Sequence, residues 1–218
     1  MDKKKLDHQS QHWEKNFSRK PGMFGSEPSI AAVKSLNFFK DKKIIELGAG
    51  LGRDTIFFAQ NSVQVEALDY SQKAIEFINN KSKKLNLTQF IKAKFFDIRK
   101  KLPFDNDTID GCFSHMLYCM ALSNYDLENL NKEILRVLKP GGINIYTVRH
   151  TNDGDYKNGN HIGEDLYEND GFIVHFFSKD KIEQLSKGFE ILDIEKFEEG
   201  KFPRKLFKVV LKKKSLAR

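Results

Sequence analysis

The stretch IIELGAGLGRDT (Ile44–Thr55) decides the fold of this chain. Two β-branched residues lead into the carboxylate of Glu46, and three glycines follow within five positions before a helical pattern begins. A buried strand, a glycine loop and a helix form a unit whose main chain can approach a nucleotide closely. The stretch therefore predicts a nucleotide-like ligand at this loop, and several unrelated ligands are bound in this way.

The spacing of the glycines separates these ligands. A phosphate-binding P-loop is excluded, because no Gly-Lys-Ser/Thr follows. The dinucleotide fingerprint Gly-x-Gly-x-x-Gly fits imperfectly, since Gly52 comes one residue early and Arg53 stands at the position of the third glycine. Asp69 lies about twenty residues further on, where a ribose-binding acid is expected. Glu46 adds a negative charge that would repel a pyrophosphate and attract an ammonium group.

Apolar, β-branched runs alternate with helical patterns between residues 43 and 149. The expected strands are KIIEL, VQVEALD, FIKAKFFD, TIDGCFSH and INIYTVR. The expected helices between them are GRDTIFFAQN, SQKAIEFINNKSKKLN and NYDLENLNKEILRVLKPGG, the last one stopped by residues 140–142. Strands that alternate with helices predict a parallel sheet with right-handed crossovers.

The two ends of the chain break this alternation. Residues 1–30 are interpreted as an N-terminal cap segment, which contains Trp13 and could close one side of a site. Ser29, or Glu27 before a proline, is expected to start a helix through IAAVKSLNFF. Residues 150–171 are rich in Asn, Asp and Gly, and we interpret them as a polar, lid-like loop.

Four further elements are expected before the chain ends. FIVHFF is interpreted as a short strand, and SKDKIEQLSKG as a helix capped by Ser178. FEILDIEKFEE and RKLFKVVLKKK are expected to form an antiparallel hairpin, because the link GKFP is short. The pattern predicts a single domain over residues 1–218.

Composition limits the class of protein. Of the 218 residues, 39% are hydrophobic and 31% charged, which is ordinary for a globular protein. No apolar run approaches the ~20 residues needed to cross a bilayer, and the N-terminus lacks the apolar core of a signal peptide. These features predict a cytoplasmic protein without a membrane partner. Cys112 and Cys119 form no disulfide framework, and we expect two reduced, buried thiols.

The net charge of +7 raises the possibility of a polyanionic partner. The charge is spread over lysine-rich ends and mixed lysine and glutamate faces, whereas a nucleic-acid groove would interleave arginines with aromatic residues. A nucleic-acid partner is therefore possible but not favoured.

These motifs together resemble those of the class I S-adenosylmethionine-dependent methyltransferases. ELGAGLGRDT matches the first motif of the family, and Asp69 at the end of the second strand matches its acidic second motif. FFDIRKKLPFDNDTIDGCFSHMLYCMAL is similar to the third and fourth motifs, and VLKPGG to the helix exit before strand five. The resemblance covers about residues 30–215. It implies an α/β, three-layer sandwich whose seven-stranded, mostly parallel sheet ends in an antiparallel hairpin.

The resemblance implies S-adenosylmethionine as the cofactor and assigns residues to it. Asp69 would accept hydrogen bonds from both ribose hydroxyls, Asp97 would face the adenine amine, and Glu46 would lie near the methionine end. For Asp54, the alternative is an ordinary acid in the first turn of a helix. The implied cofactor-binding residues are Glu46, Gly48, Ala49, Gly50, Asp54, Asp69, Tyr70, Asp97, Ile98 and Ser114.

Methyl transfer from a sulfonium is an in-line displacement with a good neutral leaving group. The main tasks of such an enzyme are alignment and desolvation, and a general base is needed only where the nucleophile carries a proton. The catalytic candidates are His115, Tyr118 and His150. His150, His161 and His175 lie among acidic residues, but their spacing matches no metal template and no metal ligand is predicted.

The segment SHMLYCM after strand four bears on the acceptor. The resemblance would place an Asn/Asp-Pro-Pro-Tyr/Phe motif here in enzymes that methylate nucleic-acid or protein amides, and it is absent. The leading hypothesis is therefore an enzyme (EC 2.1.1.-) that methylates a small molecule. One alternative is an RNA or ribosomal-protein methyltransferase, in keeping with the +7 charge. The other is a catalytically silent cofactor-binding partner subunit. No oligomeric state is predicted.

Overall fold

The computed structural model describes residues 3–200 and 203–215. The helices are α1 Lys3–Asp7, α2 Gln9–Arg19, α3 Ile30–Phe39, α4 Arg53–Gln60, α5 Gln72–Lys84, α6 Asn124–Val137 and α7 Lys179–Leu185. The strands are β1 Lys43–Leu47, β2 Gln64–Asp69, β3 Ile91–Phe95, β4 Ile109–His115, β5 Leu138–Arg149, β6 Asn160–Gly163, β7 Leu166–Asn169, β8 Phe172–His175, β9 Phe189–Glu199 and β10 Arg204–Lys213.

Seven of the strands form the central sheet in the order β3-β2-β1-β4-β5-β10-β9. The first five run parallel, and β10 pairs antiparallel with both β5 and β9. The predicted fold class and the C-terminal hairpin are confirmed. The order reverses between β1 and β4, and open α/β sheets bind ligands at such a point, beyond the carboxyl ends of the strands.

Strand β1 is apolar on both faces, which explains the three layers. Ile45 and Leu47 pack in the core cluster that contains the apolar residues of α6 and α7. Ile44 points to the opposite cluster, which contains Ala31 and Phe39 of α3 and residues of α4. Because parallel strands are covered by helices on both sides, their sequences read as continuous apolar runs, as KIIEL does.

Serine residues fix where four helices begin. Ser29, Ser71, Ser123 and Ser178 each accept a hydrogen bond from the backbone N–H three residues on. Of the two predicted starts of α3, the structure therefore has Ser29. Helix α6 ends at Val137, a few residues earlier than predicted, because Leu138 already pairs with Ile109 as the first residue of β5.

Where a polar loop was predicted, the chain forms a small separate sheet. Strands β6, β7 and β8 pair antiparallel in that order, and they include most of the predicted strand FIVHFF. Helices α1 and α2 pack on this sheet: Lys5 contacts Glu168 at 2.6 Å, and Gln9 Nε2 donates to Gly171 O at 3.0 Å. The N-terminal segment and the small sheet therefore form one continuous cover.

The structure bears on two predictions made from composition, those for the two cysteines and for membrane-spanning segments. Cys112 and Cys119 are both buried and unpaired, as predicted. Within residues 3–200 and 203–215, no helix is long and apolar enough to cross a bilayer.

Candidate active site

A cavity of about 600 Å³ lies beyond the carboxyl ends of β1, β2 and β4. Its floor is the glycine loop after β1, and the C-terminal hairpin forms one side. Helix α2, residues 23–25 and the small sheet also line it. Small-molecule and cofactor sites typically have volumes of roughly 300–1,000 Å³, so this cavity is of the right size for such ligands.

The glycine loop exposes main chain to the cavity. Gly48 has φ +67°, and a Cβ there would lie 2.9 Å from Leu117 Cδ1. At Gly52, with φ +75°, a Cβ would lie 2.6 Å from Ile78 Cγ1. Only glycine fits both the left-handed backbone and the close approach, so the loop stays narrow and leaves room for a ligand.

Asp69 joins the glycine loop to the next helix. Its Oδ2 accepts from Gly50 N at 2.8 Å and its Oδ1 from Ser71 N at 2.9 Å. Burial raises the pKa of Asp69 to about 6, and the backbone hydrogen bonds from Ser71 and Gly50 limit the rise. The carboxylate lines the cavity beside Tyr70, where both were predicted to lie. Each oxygen keeps a lone pair for a ligand donor.

Glu46 is a buried acid, and none of the cations among the described residues lies within hydrogen-bond reach of it. Its Oε2 accepts a hydrogen bond from Thr55 Oγ1 at 2.5 Å, and Glu46 is only 3% exposed. Burial and then the nearby Asp54 raise the pKa of Glu46 well above its ordinary value. A cationic group bound beside Glu46 would favour its ionised form, so this wall suits an ammonium.

Asp54 borders the cavity, but its carboxylate is used within the fold. Its two oxygens accept from Ser29 N at 2.7 Å and from Ser29 Oγ at 2.8 Å, which ties α4 to the start of α3. The geometry therefore favours the alternative of an ordinary structural acid.

Three of the residues predicted to bind the cofactor, Asp97, Ile98 and Ser114, do not line this cavity. Arg99 binds Asp97 with Nε at 3.0 Å and Nη2 at 2.8 Å, and its Nη1 reaches Asp7 of α1 at 2.5 Å. Burial would raise the pKa of Asp97, but Arg99 outweighs it and lowers the pKa. Ile98 packs in the core, and Ser114 is fully buried within β4. In this structure Arg99 thus holds the Asp97 carboxylate, and the side chains of Ile98 and Ser114 contribute to packing.

Two of the three catalytic candidates, Tyr118 and His150, also lie outside this cavity. The Tyr118 ring stacks on Tyr146 at 4.2 Å in the core, and its hydroxyl lies 3.2 Å from Asn131 Oδ1. The backbone turns at Met116, with φ +61°, and this turn directs Tyr118 away from the cavity.

The His150 ring packs on Phe207, and its Nδ1 accepts from Asn152 N at 3.0 Å. Neither side chain lines the cavity.

His115, the third candidate, does line the cavity. Its Nδ1 lies 3.0 Å from Thr147 Oγ1 and its Nε2 lies 3.0 Å from Glu199 Oε2. Glu199 is a cavity residue that the sequence did not indicate. Burial would raise the pKa of Glu199, but the hydrogen bond from His115 and the charge of Arg53 lower it below its ordinary value. A carboxylate at neutral pH therefore faces the cavity here.

Aromatic side chains form one wall of the cavity, and Phe17 of this wall lies against the glycine loop, 3.6 Å from where a Cβ of Gly50 would be. Trp13 lies 5.4 Å from Phe17 and 5.4 Å from Phe172, between ring centroids. Phe24 and Phe176 extend the same wall. This surface joins the N-terminal segment around Trp13 to the small sheet. The wall suits a ligand with an apolar or aromatic body.

A buried arginine anchors the connection between β5 and the small sheet. Arg149 is 5% exposed and donates through Nη2 to Asp153 and, at 2.6 Å, to Asp155. Asp153 also accepts from Lys205 N at 2.7 Å, which links this connection to the C-terminal hairpin. No local sequence pattern marks this cluster, although Arg149 and Asp155 line the cavity.

The three histidines considered for a metal site lie apart. His175 Nδ1 is 2.7 Å from Leu122 O, and His161 Nε2 is 2.8 Å from Glu164 O. Across the part of the chain that the structure describes, no group of three or more His, Cys, Asp or Glu residues could hold a metal ion.

Comparison with known proteins adds to this geometry. The profile of a family described as "Methyltransferase domain" matches residues 44–142. The relative "Ribosomal RNA small subunit methyltransferase A" of Borrelia garinii subsp. bavariensis is 31% identical over 127 residues, 57% of this chain and 44% of that protein. Sterol 4-C-methyltransferase strm-1 of Caenorhabditis elegans is 27% identical over 155 residues, 67% of this chain and 45% of that protein. The chain thus spans less than half the length of these two relatives.

A solved structure shows the same fold over nearly the whole chain. It is 1,6-didemethyltoxoflavin-N1-methyltransferase of Burkholderia thailandensis, with bound 1,6-didemethyltoxoflavin and S-adenosylhomocysteine. The TM-score is 0.78 and the identity 13%, and the match covers 99% of this chain and 91% of the other.

Proposed function

We propose that this chain, which has the class I methyltransferase fold and carries a methyltransferase domain over residues 44–142, transfers a methyl group from S-adenosylmethionine to a small molecule. The observation that carries the proposal is the covered cavity. Acidic groups and the glycine loop line part of it, and an aromatic wall lines an adjoining part. The two parts suit two different ligands that are held next to each other.

The residues on the loop side fit the methyl donor. Its ribose hydroxyls are donors, and Asp69 offers one free lone pair on each oxygen. Its methionine ammonium would lie near Glu46, and main chain of Gly48 and Gly50 leaves room for the same tail. When bound, the donor supplies an electrophilic methyl group. The protein aligns it and excludes water.

The cover over the site supports a small acceptor. Helix α2, with α1 behind it on the small sheet, and the three-stranded sheet border the cavity, whose wall carries Trp13, Phe17 and Phe172. A compact apolar or aromatic molecule would fill such a space, whereas a nucleotide within an RNA chain would require the cover to move aside.

The RNA alternative has support of its own, from the net charge of +7 and from similarity to a ribosomal RNA methyltransferase. One experiment separates it from the leading proposal. The protein is incubated with methyl-labelled S-adenosylmethionine and a cell extract divided into small molecules, RNA and protein. Label in the small-molecule fraction supports the proposal. Label in RNA, with steeply salt-dependent RNA binding, supports the alternative.

Calorimetry tests the donor separately. Binding of S-adenosylmethionine and S-adenosylhomocysteine is expected, and folded protein that binds neither would refute the proposed function. Donor binding without methyl transfer to any fraction would instead indicate the non-catalytic partner subunit.

Donor affinity is expected to fall in acid. The pKa of Asp69 is about 6 in the ligand-free protein, and ribose hydroxyls donate to its ionised form, so binding lowers that pKa. Affinity is thus constant well above pH 6 and falls about tenfold per pH unit well below it. The raised pKa of Glu46 acts in the same direction.

Calorimetry with S-adenosylhomocysteine from about pH 5 to pH 8 measures this slope, and buffers of different ionisation enthalpy measure the protons released. Asp69→Asn is expected to flatten most of the dependence. An affinity that stays level down to pH 5 in the unchanged protein would show that the donor does not contact Asp69.

A further inference from the structure

Glu199 presents a carboxylate that is held from several sides and still lines the cavity. It ends β9, and its Oε1 accepts from Ile30 N at 3.3 Å while Arg53 Nη2 lies 3.8 Å away. Its Oε2 lies 3.0 Å from His115 Nε2. The side chain is 18% exposed, so these contacts fix its direction and leave lone pairs free toward the cavity.

The hydrogen bonds around His115 determine which ring nitrogen carries the proton. An ionised carboxylate only accepts hydrogen bonds, so the 3.0 Å contact between His115 Nε2 and Glu199 Oε2 places a proton on Nε2. In the neutral ring Nδ1 is then the acceptor, and Thr147 Oγ1, which itself accepts from Met116 N at 2.9 Å, donates to it at 3.0 Å. Because both ring nitrogens are engaged, the ring itself is not free to receive a proton from a ligand.

We propose that Glu199 receives the proton of the acceptor's nucleophilic atom, and that His115 is a positioning residue for Glu199. The inference rests on the proposed function and narrows its substrate. As the lone pair of a hydroxyl or a weakly basic ring N–H bonds to the methyl carbon, its proton becomes strongly acidic and a carboxylate can accept it. An alkylammonium has no lone pair with which to attack, and a neutral alkylamine gives an ammonium product that keeps its proton, so neither needs this base. Together with the aromatic wall, this points to a hydroxyl or ring-nitrogen group on a conjugated small molecule.

The step balances without a further reactant. The lone pair of the nucleophilic oxygen or nitrogen forms the new bond to the methyl carbon. The carbon–sulfur bond breaks and leaves its electron pair on sulfur, which becomes a neutral thioether. The proton of the nucleophile passes to a Glu199 carboxylate oxygen and from there to water.

Within the part of the chain that the structure describes, three groups contact Glu199: His115 of β4, Arg53 of α4 and the Ile30 amide at the start of α3. Arg204 is its backbone partner in register on β10 and also lines the cavity. All are hydrogen-bond donors or cations that favour the ionised carboxylate. The acid limb of the pH–rate profile is therefore expected below the pH range in which a glutamate ordinarily titrates. Removal of His115 is expected to move this limb to higher pH.

The test uses the full chain, methyl-labelled S-adenosylmethionine and the small-molecule fraction of a cell extract. Glu199→Gln is expected to lower the transfer rate about 100-fold, while calorimetric affinity for S-adenosylmethionine stays within about threefold. Glu199→Asp retains part of the rate, and the neighbouring, exposed Glu198→Gln is the matched control with an unchanged rate. His115→Gln is expected to cost about tenfold in rate and to shift the acid limb upward, which a purely structural role would not do.

Each outcome decides one of the two proposals. A Glu199→Gln variant that binds the donor and transfers methyl within about threefold of the unchanged protein overturns the role of Glu199. A labelled product methylated on carbon, on a thioether or on an alkylamine also overturns it. If the unchanged protein labels no small molecule, the proposed function fails first and this inference falls with it.

Discussion

An Asp69→Ala variant is expected to bind S-adenosylmethionine about 1000-fold more weakly than the unchanged protein, a loss of about 4 kcal/mol. Two hydrogen bonds from ribose hydroxyls to a carboxylate, each contributing about 1.5–3 kcal/mol, would be absent. The substitution also removes the acceptor for Gly50 N and Ser71 N, so the loop that receives the donor is held less firmly. Calorimetric titration measures the change.

Two variants make this result interpretable. Asp69→Asn keeps one side-chain oxygen and is expected to show an intermediate loss. Asp193→Ala removes a half-exposed acid on β9, far from the glycine loop in the sheet order, and is expected to leave affinity unchanged. Circular dichroism confirms that each variant is folded. An Asp69→Ala protein with affinity within about tenfold of the unchanged chain would contradict the assignment of Asp69 to the donor.

An Arg149→Met variant is expected to lose about 3–5 kcal/mol of unfolding free energy. The substitution leaves Asp153, which is 6% exposed, as a buried carboxylate without its cation. For a chain of this length the loss corresponds to a melting temperature lower by roughly 10 °C. Thermal unfolding followed by circular dichroism measures it.

The double variant Arg149→Met with Asp153→Leu separates charge from packing. If the loss arises from an unpaired buried charge, removal of that charge is expected to recover part of the stability. Recovery stays incomplete, because Asp153 also accepts from Lys205 N and Asp155 N. If the free energy of unfolding of the single variant Arg149→Met lies within about 1 kcal/mol of that of the unchanged protein, the ion pair contributes little to stability.

The central sheet could be predicted because its sequence signals are local. Ile44 and Ile45 point to opposite layers, so the run KIIEL indicates a strand buried on both faces. Gly48 and Asp69 then follow as neighbours in space, because parallel strands bring their carboxyl ends to the same edge. The position of the glycine loop beside Asp69 therefore followed from the strand endings, whereas the roles of these residues toward a methyl donor were implied by the resemblance and remain a prediction.

The acceptor side depends on contacts between distant parts of the chain. Glu199 meets His115 only because the sheet order places the hairpin after β5 and its end bends back toward β4. Tyr118 turns into the core at the positive φ of Met116, a turn that no glycine or asparagine marks. The strands β6 and β7 are four residues each and largely polar, so they show no clear alternation.

The cover of the cavity also carries its own optical probe. Trp13 is the single tryptophan of the chain, and its ring belongs both to α2 and to the aromatic wall. Indole emission therefore reports the surroundings of the cavity alone, without a label and without background from other tryptophans. Stopped-flow fluorescence on the unmodified protein can time how fast ligands enter. It can also show whether α2 leaves the small sheet before the rest of the chain unfolds.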